Sequence, residues 1–136
     1  MWTGEVAEGG RQMMDAELKL CPVPKSVRDA RNFVRGRLVD WGFPKGADDA
    51  SLIADELASN AITAAPKTPF WLTLWVANGW PMLEVADCSP EPPVLQPADF
   101  LSTCGRGLHI VDALSVAWDS YPVAGGKVIW VQLNPG

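Results

Sequence analysis

The chain has 136 residues, 48% of them hydrophobic, and a formal charge of −5, a size that suits one self-sufficient core. Its acidity excludes the broad cationic surface that direct nucleic-acid binding needs. Cys21, Cys88 and Cys104 make no disulfide or zinc pattern, and neither a leader-like N-terminus nor a run of about 18 apolar residues stands out, so a cytoplasmic protein without a membrane partner is expected.

Residues 1–15 carry glycines and scattered charges without an apolar period and read as a flexible N-terminal tail, leaving residues 16–136 as a single domain. Glu17-Leu18-Lys19-Leu20 alternates at period two and predicts a short strand closed by Pro22 and Pro24. Ser26 is placed to cap a helix, whose apolar stripe is Val27, Ala30, Val34, Leu38 and Trp41, with Gly42 as its stop. A second helix is expected from about Asp48 to Ala65, ahead of Pro66, with Ile53, Leu57 and Ala64 as its stripe and two aspartates in its first turn.

Phe70 to Ala77 and Met82 to Cys88 read as strands joined by an Asn78-Gly79 hairpin. On the first of them, Trp71, Thr73 and Trp75 fall on one face and Phe70, Leu72, Leu74 and Val76 on the other, so one face should pack on helices. The other face either meets a partner or is shielded by the N-terminal segment. Four prolines between Ser89 and Thr103 predict a long loop of the kind that serves as a lid. A short helix is expected from Leu108 to Ser115, and a hairpin from Val116 to Tyr121 and Lys127 to Leu133, turning at Gly125-Gly126. This order predicts an α+β fold, a two-layer α/β sandwich with helices on one face of a mainly antiparallel sheet.

Three clusters carry candidate chemistry. Glu56 and Asn60 are four residues apart on the second helix, so both leave one face about a turn apart. An Asn oxygen suits one position of a Mg²⁺ that keeps waters and nucleotide phosphates elsewhere, and Glu56 is placed to polarise a hydroxyl. Two polar residues on the rim of an ordinary helix is the plainer reading. Asp87 closes the second hairpin strand on the inward side set by Leu83 and Val85. It needs a donor there, since an unpaired buried polar group costs about 1–3 kcal/mol; an exocyclic amine such as adenine's would serve, and a turn-capping role is the alternative. Gly105-Arg106-Gly107 ahead of a helix offers backbone amides and a cation for phosphate, although many such triplets are simply turns. His109, the single histidine, reads as a packed or solvent-facing side chain.

The order of these clusters is more specific than any one of them. Glu56-Leu57-Ala58-Ser59-Asn60-Ala61, then Val85-Ala86-Asp87-Cys88-Ser89-Pro90, then Gly105-Arg106-Gly107-Leu108-His109-Ile110-Val111 resembles the histidine-kinase-like (GHKL, or Bergerat) ATPase superfamily. With the ending Gly125-Gly126-Lys127-Val128-Ile129-Trp130, the chain is most similar to the anti-sigma regulatory factor and switch-protein serine kinase branch, from about Glu17 to Leu133.

The resemblance implies ATP and Mg²⁺ as cofactors, in a pocket between the helices and the lid. By position, Asn60 would hold Mg²⁺, Glu56 would be the general base and Asp87 would accept the adenine amine. Gly105, Arg106, Gly107 and Leu108 would lie against the phosphates, and Ser89 beside the base. It also implies a sigma factor and an anti-anti-sigma antagonist as protein partners, the antagonist's serine as phosphoryl acceptor, and homodimerisation as in related proteins. A module that keeps the fold and its protein partners without turnover is the alternative, because three positions depart from the pattern. Ala64 stands where His or Lys is frequent, Ser89 where Gly is usual, and Val128 where Thr often begins the last strand.

Overall fold

The computed structural model describes residues 14–93 and 106–136. In chain order its elements are β1 (Asp15–Leu20), α1 (Lys25–Asp40), α2 (Ala47–Ala64), β2 (Phe70–Ala77), β3 (Trp80–Asp87), α3 (Arg106–Leu114), β4 (Ser115–Val123) and β5 (Gly126–Leu133). The strands form one sheet in the order β1-β2-β3-β5-β4, and every neighbouring pair is antiparallel. The expected two-layer α+β sandwich is therefore the observed architecture.

Alternation decides which sheet face is covered. Phe70, Leu72 and Leu74 of β2, Leu83 and Val85 of β3, and Ile129, Val131 and Leu133 of β5 are all buried. They meet Ala30, Val34 and Leu38 of α1, Ile53, Leu57 and the small residues Ala50, Ala54, Ala58 and Ala61 of α2, and Val111 of α3 in one core. Helices bearing alanine at the contact approach closely, so the stripe of α2 is broader than Ile53 and Leu57 alone suggest. Ala64 does not extend that stripe: it is exposed in the last turn of α2. On the other face of β2, Trp71, Thr73 and Trp75 are half-buried, and the Lys19 ammonium lies 5.8 Å from the centre of the Trp71 ring.

The start of α1 differs from expectation. Pro24 stands at the N-cap with φ −56° and ψ −35°, and no side chain caps the helix. Proline's fixed φ and missing N–H suit a helix start, so the helix begins ahead of Ser26, which lies buried inside it. Its end follows a Schellman pattern, with Phe43 N–H donating to Leu38 O (2.8 Å), Gly42 N–H donating to Val39 O (3.2 Å) and Gly42 at φ +91°. Between α1 and α2, Arg31 bonds Asp55 (2.8 Å) and Arg35 bonds Ser51 (3.1 Å).

The hairpin β2–β3 turns through Asn78 and Gly79, both at positive φ, the geometry that an Asn-Gly pair favours. Gly126 opens β5 where a Cβ would run into the backbone carbonyl of Asp87, so only glycine lets β5 lie this close to the end of β3. Cys21 and Cys88 are free thiols on the surface. Among the described residues, no helix is long and apolar enough to cross a membrane.

Candidate functional site

Glu56 and Asn60 both sit half-buried on α2. Ser51 and Asp55, which bond Arg35 and Arg31, mark the flank of α2 that faces α1. Successive helical residues turn by about 100°, which puts Glu56 and Asn60 on the opposite flank. α3 packs directly against α2. The amide oxygen Oδ1 of Asn60 is buried and has no hydrogen-bond partner among the described residues. Most buried polar atoms are paired, so an orphaned carboxamide oxygen points to a missing donor or cation. Its chemistry fits Mg²⁺, a hard cation that takes oxygen ligands. No cluster of three His, Cys, Asp or Glu side chains suited to a metal occurs among the described residues, so a cation here would rely on Asn60, water and a ligand's own oxygens.

Asp87 ends β3 on the helix-facing side, with its side chain only 1% exposed. The donor it requires is present within the protein. Lys127, directly opposite in β5, places its Nζ 2.9 Å from Oδ2 and 3.1 Å from Oδ1, and its own side chain is 4% exposed. The Ser89 N–H donates to Oδ1 at 2.8 Å. A carboxylate accepts about four hydrogen bonds in all, and three of these acceptances are already used internally. Lys127 is not among the candidate residues that the sequence motifs mark. It could have been found: in β5 it alternates with Ile129, Val131 and Leu133, all inward-facing, and an inward lysine demands a carboxylate.

Of the remaining predicted residues, Ser89 lies directly beside this pair. The Ser89 hydroxyl accepts the Glu91 N–H at 3.4 Å, a local turn that holds Pro90 at the exit from the sheet. Ser89 and Ala64 line opposite sides of a cleft of about 410 Å³ between the end of α2 and the segment after β3. Val128 faces away from Asp87: it pairs with Ala86 of β3 and Tyr121 of β4, on the side opposite Lys127. The residue that donates to Asp87 is therefore the first inward residue of β5 and not the one after it.

Gly105 lies outside the described residues, as do residues 94–104 of the expected proline-rich lid. Arg106 is the first residue of α3, so Gly107 belongs to the helix and not to a loop ahead of it. Backbone N–H groups in a first helical turn have no partner within the helix and favour anions. Leu108 has its side chain buried in the fold, which leaves only its backbone for any ligand. The helix starts two residues earlier than the apolar pattern suggests, with Leu108 and Val111 as its buried residues.

Elsewhere on the sheet, desolvation raises the Glu84 carboxyl above its ordinary value, partly offset by a hydrogen bond from the Tyr121 hydroxyl at 3.3 Å. Tyr121 is raised as well, by desolvation first and then by the Glu84 charge. Asp15 is raised by desolvation and by neighbouring Glu17.

A family described as "Histidine kinase-like ATPase domain" matches residues 22–133. That span begins after β1 and runs to the last residue of β5, taking in Glu56, Asn60, Asp87 and the start of α3. Comparison with curated proteins gives no match.

Proposed function

Because the chain belongs to the histidine kinase-like ATPase domain family, which implies ATP binding, we propose that it is a regulatory kinase of the anti-sigma type. In this reading it phosphorylates a serine or threonine of an antagonist protein with Mg-ATP and sequesters a sigma factor. The observation that carries it is the buried Asn60 Oδ1, which has no partner among the described residues, one helical turn from Glu56, on a helix flank free of α1. Asn60 would hold Mg²⁺, the first turn of α3 with Arg106 would lie against phosphate, and Glu56 would take the proton of the acceptor hydroxyl. ATP, when bound, supplies the transferable phosphoryl group.

The division of roles makes the reading testable. Removing a positioned base lowers the rate by about 10²–10⁴-fold without removing binding contacts. Glu56→Ala is therefore expected to keep Mg-ATP affinity and lose phosphotransfer to the antagonist, measured with labelled ATP and an antagonist protein encoded beside this one. Transfer at the wild-type rate by Glu56→Ala would overturn the assignment.

A second reading has its own support. The closed Asp87–Lys127 pair and the exposed Ala64 favour a module that binds a sigma factor without ATP turnover. Sigma-factor binding that is stoichiometric and indifferent to Mg-ATP is its expected signature. Phosphorylation of the antagonist would exclude it.

A further inference from the structure

The Asp87 carboxylate cannot serve an external amine while Lys127 is in place. Its side chain is 1% exposed and that of Lys127 4%, so no ligand atom reaches Oδ2 without moving the ammonium that lies 2.9 Å away. Backbone geometry does not hold the lysine there, since only its flexible four-carbon stem crosses to Asp87. There is room for it to leave: Lys127 also borders a cleft of about 340 Å³ lined by Pro90, Pro92, Ser120, Tyr121 and Pro122. The Ser120 hydroxyl and open water on that side are suitable acceptors for a displaced ammonium.

We propose that Lys127 is an internal competitor for the nucleobase: the amine of an adenine nucleotide and the Lys127 ammonium contend for the same carboxylate, so Lys127 sets the affinity and the base preference of the site. This rests on the ATP-binding reading above. An ammonium–carboxylate pair is stronger than an amine–carboxylate hydrogen bond, so the resting protein is closed to the base and opens only when the rest of the nucleotide binds well enough to displace the lysine. Lys127 is a specificity-determining residue with no part in the chemistry. A 6-oxo purine has no exocyclic amine at that position and gains nothing from a freed Asp87.

The test is calorimetric titration of the wild type and Lys127→Met with Mg-ATP and with Mg-ITP. Removal of the competitor is expected to tighten Mg-ATP by about tenfold or more and to change Mg-ITP by less than about twofold. ATP affinity that is unchanged or weakened, or an equal gain for both nucleotides, overturns the competitor role while leaving ATP binding intact. If neither folded protein binds either nucleotide, the ATP-binding reading fails and this inference with it. Should Lys127→Met not fold, amine-specific labelling of the wild type resolved by residue replaces it. Labelling of Lys127 is expected to rise severalfold with saturating Mg-ATP, and no rise overturns the proposal.

Discussion

The two polar centres of the candidate site treat their oxygens in opposite ways. At the end of β3, Asp87 is enclosed by Lys127 and the Ser89 amide and is part of what holds the sheet together. On α2, Asn60 keeps a buried oxygen with no partner among the described residues. A saturated buried ion pair belongs to the folded state first, and a ligand must compete with it. An orphaned acceptor contributes little to folding, and a ligand completes it. The difference predicts that stability and binding are carried by different parts of the candidate site.

The largest effect tests the saturated end. Asp87→Ala takes from the Lys127 ammonium and the Ser89 amide their shared acceptor and is expected to cost about 3 kcal/mol in urea unfolding, the low end for breaking a buried pair because Lys127 can turn to the cleft beside it. Asp87→Leu combined with Lys127→Met should recover most of that loss, since replacing both partners of a buried pair with apolar groups is often nearly neutral. A double variant as unstable as Asp87→Ala would show that something besides the pair holds this corner. Next comes Gly126→Ala, whose added methyl meets the Asp87 carbonyl. About 1–3 kcal/mol of destabilisation is expected from forcing β5 away from β3, readable as a lower urea midpoint with an unchanged slope.

At the open end the prediction reverses. Asn60→Ala removes an unsatisfied buried oxygen, so its stability should stay within about 1 kcal/mol of the wild type, or rise, while affinity for Mg-nucleotide falls. A stability loss as large as that of Asp87→Ala would erase the contrast between the two centres.

The smallest effect lies on the other side of the sheet and depends on pH. The folded-state pKa of Glu84 is raised from its ordinary value of 4.5, so the charged form is penalised in the native state. That penalty is fully present above the raised folded value and vanishes below 4.5, where both states are protonated. Glu84→Gln, which still accepts from Tyr121, should therefore melt slightly higher than wild type at neutral pH, and the two melting temperatures should converge as pH falls below that point.

Most of this fold could be read from residue order. Strand-like runs fix β2 and β5 to within a residue, Asn78-Gly79 fixes the hairpin between β2 and β3, and Gly42 fixes the end of α1. The misses share a cause. Ser26 has the chemistry of a cap, but Pro24 competes with it and starts the helix sooner. Ala64 has the spacing of a core residue, yet the core of α2 is built on Ala50, Ala54, Ala58 and Ala61, and spacing alone does not say where the partner layer ends.

The candidate site was legible as a set of residue types and not as a network. Glu56 and Asn60 follow from helical spacing within α2. The partner of Asp87 depends on the β3–β5 register, a pairing between residues 40 apart in sequence with α3 and β4 lying between them. The family pattern points to Val128. Inward alternation in β5 singles out Lys127 instead, and pairing a buried lysine with a buried aspartate would have followed from charge alone.

Binding of Mg-ATP to the folded wild-type protein and to Asn60→Ala, followed by titration calorimetry at millimolar nucleotide, tests the central claim most directly. The account predicts saturable, Mg²⁺-dependent binding to the wild type that is weakened in Asn60→Ala at unchanged stability. Affinities equal in the two proteins, or no binding to a wild type shown to be folded, would contradict it.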